Sequence, residues 1–352
     1  MMNAILLNDT QHWYHYGCHF TSSGLKALIA ERYRLIDAVA IHELFALRPP
    51  MLPNDFARPA MIDELVAAHR GLFDRIALAD VVVVNGEGSL HGLTRPVLTL
   101  LWVIAASRLV LGKPVFIVNH SAYPDDREEP ADRVAIDLYR RAYALADYVA
   151  VREVASHALM RGLGVRCELS FDCSVLAIDS GEERRRERVV AVGGAAGFDA
   201  TGTTALARWL HDANADGWRC KFVHGAPERP ARDDERFLAA LRAAATPLES
   251  TLITGPEQFT DELGSAGLVV SGRFHYSIAA YALGTPFVLW GSNTPKNTGL
   301  SVMLGAPPPL PWNAPDLFDR LGQAAGAANA SDGERRQQRL AALRQLARRN
   351  LP

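Results

Sequence analysis

The stretch "GLVVSGRFHYSIAAYALGTPFVLWG" (267–291) reads as one strand–helix–strand unit. "GLVV" is apolar and β-branched, as befits a strand covered on both faces. Ser271, Gly272 and Arg273 interrupt it, Ala279, Ala280 and Leu283 carry a helix into a core, and "PFVLWG" (286–291) resumes as a strand. Two parallel strands joined by a helix are the building unit of doubly wound α/β sheets.

Working outward, the same rhythm fills the chain. Strands are expected at 4–9, 36–41, 80–86, 113–120, 147–152 and 166–171, with helices near 21–32, 60–77, 95–111, 130–145 and 153–163. After the charge run "AIDSGEERRRERVV" (177–190), strands are expected at 189–194, 220–225, 250–255, 267–272 and 286–291. The spacing predicts an α/β chain of two Rossmann-like domains, 1–178 and 187–330, with the charge run as linker. A C-terminal helix (331–352) carries Leu340, Leu343, Ala347 and Leu351 on a narrow apolar stripe and is expected to dock back across the domains.

Composition narrows the functions. A formal charge of −2 over 352 residues leaves no general basic footprint for nucleic acid or an anionic membrane, so any cationic site must be local. Cys18, Cys167, Cys173 and Cys220 are scattered without a metal or disulfide pattern, which fits a reducing cytoplasm. "MMNAILLNDTQHW" (1–13) reads as a first strand rather than a signal peptide. "VLTLLWVIAASRLVLG" (97–112) is shorter than a membrane span and interrupted by Arg108, so a buried helix is expected.

In doubly wound sheets, ligands bind beyond the carboxyl ends of the strands. The residues there are Asp9, the loop "NGEGSLHG" (85–92) with Glu87, Gly88, Ser89 and His91, then His120, Arg152, the "SGRFH" turn with Ser271 and Gly272, and Lys296. Arg273 and His275 stand at the first turn of a helix, where a positive charge opposes the dipole and an anionic ligand would explain it. Lys296 goes against the chain's own bias, since only four lysines stand against 33 arginines. A compact ammonium in a Ser/Asn/Thr/Pro loop suits a phosphate or carboxylate. His12, His15 and His19 suggest a metal by count alone, but no ligand spacing completes a set, and no metal or cofactor is expected.

At this point the chain resembles the polysaccharide pyruvyl transferases. "SGRFHYSIAAYALGTPFVLWGSNTPKNTG" (271–299) looks like that family's S-x-R-x-H helix, G-x-P strand and following Lys. "VAVREVASHALMRGLGV" resembles its R-x-x-x-S segment, and "FDCSVLA" its D-x-x stretch. Two departures stand out: Gly86-Glu87-Gly88 replaces a glycine triplet, and the loop after the first strand lacks N-x-G-D. The resemblance implies a glycosyltransferase-B-like fold with two domains facing across a cleft, and phosphoenolpyruvate as co-substrate. It implies transfer to a saccharide acceptor, free or lipid-linked, in exopolysaccharide and cell-surface glycan synthesis. A cytoplasmic enzyme, working at the inner membrane face when the acceptor is lipid-linked, follows.

On that reading Arg152, Arg273 and Lys296, with Ser271 and Gly272, bind the donor. His275 is the general acid, and Asp9 orients or deprotonates the acceptor. Glu87, Gly88, Ser89, His91 and His120 are candidate acceptor or loop contacts. Two rivals stand beside it: a glycosyltransferase on the same scaffold with a nucleotide-activated sugar, its base slot around "VHGAPE" and "TGPEQF", and a non-catalytic sugar-binding or scaffold protein of a polysaccharide assembly complex. The oligomeric state is left open.

Overall fold

The computed structural model describes residues 1–13, 15–50, 53–124, 132–180, 184–225, 232–244, 248–329 and 333–352. Its strands are β1 (Asn3–Asp9), β2 (Arg34–Ala40), β3 (Val81–His91), β4 (Val115–Tyr123), β5 (Tyr148–Val151) and β6 (Glu168–Leu169), then β7 (Glu187–Val192), β8 (Arg219–His224), β9 (Glu249–Leu252), β10 (Ala266–Ser271) and β11 (Phe287–Leu289). They form two wholly parallel sheets, of order β2-β1-β3-β4-β5-β6 and β11-β10-β7-β8-β9. The chain divides into two compact units: Met1–Gln11, Thr21–Cys173 and Arg344–Pro352 make the first, His12–Phe20 and Ser174–Leu343 the second.

In the first unit the strand order reverses between β1 and β3, the position where doubly wound sheets take ligands beyond the carboxyl ends of their strands. The helix Arg95–Leu109 is buried from Val97 to Ser107, and Arg108, where the apolar run breaks, pairs with Asp147 at 3.2 Å. Asn350 fastens the last residues to this unit. Its carbonyl oxygen accepts from the Asn119 backbone (2.7 Å) and Ser170 Oγ (2.9 Å), and its amide donates to the Phe171 carbonyl (2.8 Å). Arg32 adds a bond to the Leu351 carbonyl at 2.6 Å.

In the second unit the order reverses between β7 and β10, so that Gly193 and Ser271 stand at the switch point. The helix Phe274–Ala282 is buried along its whole length. Residues 12–20 belong here because the Tyr16 backbone N–H donates to the Gly225 carbonyl (2.7 Å) and the rings of Tyr16 and Phe20 lie about 6 Å from that of Phe259 (6.1 and 6.0 Å).

Three local expectations change. The helix expected over 60–77 is two, Pro59–Ala68 and Arg70–Ala77, because His69 leaves helical geometry at φ −123° and ψ 37°. The strand expected at 166–171 shrinks to Glu168–Leu169, an edge strand, as Ser170 turns its hydroxyl toward Asn350. The charge run is not uniformly solvated: Arg186 donates to Thr285 Oγ1 (2.7 Å) and the Leu283 carbonyl (2.9 Å), and β7 begins inside the run at Glu187. Residues 181–183 of that run lie outside the described residues.

Asn350→Ala should leave the Asn119 N–H and Phe171 carbonyl buried without partners, at about 1–3 kcal/mol for each unsatisfied group. Urea unfolding followed by circular dichroism should show a lowered midpoint for the first unit, with the second unit's transition unmoved.

Candidate active site

The switch point of the second unit is built from backbone outward. Ser271 Oγ donates to the Gly194 carbonyl (3.1 Å) and accepts from the Arg273 N–H (3.0 Å), so the buried hydroxyl pins the turn. Arg273 caps the helix Phe274–Ala282, and its Nε and Nη2 both donate to Asp234 Oδ1, at 3.1 and 2.6 Å. This pair is nearly buried, with side chains 11 % and 4 % exposed. A Cβ on Gly194 would lie 1.8 Å from Asp234 Oδ1, so only glycine leaves room for the carboxylate that orients Arg273.

Lys296 begins the helix Lys296–Leu304. The next residue, Asn297, donates from its amide to the carbonyls of Gly272 (3.0 Å) and Trp290 (2.8 Å), which ties this helix start to the Arg273 turn. Asn297 Oδ1 and Thr294 Oγ1 are buried and have no hydrogen-bond partner among the described residues. Such atoms are acceptor capacity left for a ligand.

His275, buried on the first helical turn, faces His15, with ring centroids 5.5 Å apart. Gly17 packs against the His275 ring so closely that a Cβ there would meet ring atoms at 2.6 and 2.7 Å. His15 Nδ1 accepts from the Cys18 N–H at 3.3 Å. Burial, followed by the charges of His275, Arg273 and Lys296, pushes the His15 pKa well below the ordinary imidazole range. The unit therefore sets a neutral imidazole inside a ring of three cationic or titratable groups. In the sequence His15 reads only as a metal candidate, and Asp234 and Asn297 carry no signal. Among the described residues no group of three or more His, Cys, Asp or Glu could hold a metal.

The first unit carries the remaining candidates. Arg152 is 1 % exposed; its Nη1 pairs with Asp172 Oδ2 at 2.6 Å and its Nε donates to Ser121 Oγ at 3.1 Å. Asp172 in turn accepts from Thr21 Oγ1 at 2.8 Å. Arg152 is thus an interior group, with Nη2 3.9 Å from where a side chain on Gly88 would begin. Asp9 pairs with Lys26 (2.5 Å) and accepts from Ser22 Oγ (2.7 Å). Burial works against its charge, but the bonds from Lys26, Ser22 and the Gln11 backbone outweigh it and hold the carboxyl below its usual range.

Asn8, Glu87 and Asn119 have positive φ (63°, 39° and 56°) near the ends of β1, β3 and β4, three neighbouring strands. Asn accepts that region readily, whereas for Glu87 it is strained. Ser89 Oγ accepts from the Asn8 amide at 3.3 Å, while Gly88 and His91 are half-buried. His120 is fully buried against the Tyr143 hydroxyl (2.7 Å), a structural position. Residues 226–228 of the nucleotide slot imagined around "VHGAPE" lie outside the described residues.

Two parallel-sheet units of this kind make a glycosyltransferase-B-like fold. Similar solved structures bear this out. UDP-GlcNAc 2-epimerase of Neisseria meningitidis, bound to UDP-GlcNAc, is 9 % identical with a TM-score of 0.59, covering 98 % of this chain and 97 % of that one. That of Methanocaldococcus jannaschii is 10 % identical at 0.56, covering 94 % of each. Anabaena Alr3699/HepE in complex with UDP and glucose is 11 % identical at 0.55, covering 98 % of each. No curated protein sequence matches the chain. The model of the polysaccharide pyruvyl transferase family matches residues 8–292, and the chain belongs to that family of transferases.

Burial, with the Arg152 charge second, pushes the His120 pKa down to about 3. The unfolded chain takes up a proton as pH falls below about 6.5 and the native chain does not, so stability declines from there down to the folded value. At pH 5 the loss at this residue is about 2 kcal/mol. Urea midpoints at pH 7 and pH 5 should lie closer together in His120→Gln than in the wild type.

Proposed function

We propose that the chain transfers the enolpyruvyl group of phosphoenolpyruvate to two hydroxyls of a saccharide, forming a cyclic ketal and releasing phosphate. Family membership supports the pyruvyl group and the glycan. The observation that carries the donor is the cationic turn of the second unit: Arg273 and Lys296, joined through Asn297, beside the N-terminus of a buried helix. A donor bearing a carboxylate and a phosphate needs such a set.

His275 delivers a proton to the methylene carbon, and C2 becomes an oxocarbenium-like centre that the first hydroxyl attacks. Phosphate then leaves with the C2–O electron pair, Lys296 neutralising it, and the second hydroxyl closes the ketal. Of the two protons that the hydroxyls release, one restores His275 and one leaves with phosphate. His15, held neutral by burial and the neighbouring charges, is not the proton donor in this scheme. Asp9, ionised through Lys26 and Ser22, is suited to accept a hydrogen bond from an acceptor hydroxyl and hold it. Arg152, interior and paired, sets the loop at Gly88 rather than meeting the donor in its present pairing. Glu87, with its strained backbone, is assigned to the acceptor. A protein working on cytoplasmic phosphoenolpyruvate fits four buried free cysteines, and no helix among the described residues is long and apolar enough to cross a membrane.

Phosphoenolpyruvate should raise the melting temperature, and a panel of nucleotide sugars should not; the reverse result would hand the site to a sugar-nucleotide donor. His275→Gln should keep phosphoenolpyruvate affinity by calorimetry while phosphate release slows about 10²- to 10⁴-fold, the usual worth of a positioned acid. Arg273→Ala should weaken binding first. Turnover of His275→Gln at the wild-type rate would exclude it as the acid.

A further inference from the structure

The second unit holds a cavity, about 580 Å³, lined by Val190 of β7 and Leu268 of β10 and by none of the residues of the Arg273 turn. Trp209, on the helix Ala200–Ala215, and Phe318, on the helix Leu317–Asn329, form its walls with Trp218, which precedes β8. The Arg188 guanidinium lies over the Trp218 ring at 5.6 Å and that of Arg208 over Phe318 at 4.8 Å. Asp212, Asp216, Asp319 and Gln323 supply the polar lining.

The polar groups are unspent. The Trp209 indole N–H and the three carboxylates have no hydrogen-bond or ion-pair partner among the described residues. Gly322 leaves the indole uncovered, since a Cβ there would stand 4.0 Å from Nε1. Asp212 and Asp216 lie at the carboxyl end of the helix Ala200–Ala215, which carries no basic residue in its last turn. Acids at that end oppose the helix dipole, and a ligand rich in hydrogen-bond donors relieves the conflict. The carboxylates do not converge as a metal site would. Spread over aromatic walls, they match a ligand with an apolar C–H face and several hydroxyls around it. The volume lies within the range of small-molecule sites.

We infer that this cavity is a saccharide-docking site for a glycan segment that carries hydroxyl or amino donors and no acid groups. Resting on the proposed reaction, a directional consequence follows. The unmodified acceptor is taken, while a glycan that has gained the carboxylate of a pyruvate ketal is repelled by the three aspartates.

The test uses the full chain and needs neither donor nor turnover, so it stands or falls apart from the pyruvyl transfer. Calorimetry and tryptophan fluorescence are run with cellotetraose, a chitosan tetramer and a galacturonate tetramer. Binding of the first or second, quenching of tryptophan emission, and at least tenfold weaker binding in both Trp209→Ala and Asp212→Ala/Asp319→Ala support the site. The double variant alters exposed side chains and guards against misfolding, with its melting temperature as control. Binding unchanged in the variants, tightest binding by the galacturonate, or no binding by any tetramer would overturn the proposal. So would an oligolysine peptide that binds more tightly than the saccharides, which would make the cavity a cationic protein-docking site.

Discussion

A buried guanidinium needs its charge compensated, and both units supply a carboxylate for it at the carboxyl edge of their sheets. Arg152 takes Asp172 and Arg273 takes Asp234, each with a 2.6 Å contact. Removing one member of such a pair leaves an uncompensated charge, at about 3–5 kcal/mol. The pairs therefore decide what else the edges can be: Gly194 must stay bare to admit Asp234, and Thr21 must present its hydroxyl to Asp172. The two differ in what remains. Arg152 is interior, whereas Arg273 sits on a helix cap beside groups with unused hydrogen-bonding capacity.

Local charge arrangement in the second unit follows from that fixed Arg273. With Lys296 brought to the same turn through Asn297, the buried His15 nearby is kept neutral by its burial and by the charges of His275, Arg273 and Lys296. Its ring centroid lies 5.5 Å from that of His275.

The strand–helix rhythm is legible in the sequence because buried parallel strands need unbroken β-branched runs such as Val81–Val84, and the residues that end such runs fall at the ligand edge by topology. That logic reaches Arg273, His275 and Lys296 directly. It does not reach their partners. Asp234 is 39 residues from Arg273 in an acidic first helical turn that reads as ordinary solvated surface, and Asp172 is 20 residues from Arg152. His15 lies among three histidines whose count alone draws attention to a metal. Nor does periodicity reveal that His69 breaks a helix or that an arginine of the charge run is spent on carbonyl oxygens.

The interleaving of the two units along the chain bears on how the protein is born. Asn350, which closes hydrogen bonds onto Asn119, Ser170 and Phe171, follows the entire second unit in sequence. During synthesis, which otherwise lets N-terminal domains fold first, the first sheet must wait as an unfinished body while the second is made. The ribosome thus delivers the halves in one order and the fold completes them in the other, and a nascent chain halted before Arg344 carries a first unit that lacks its final seam.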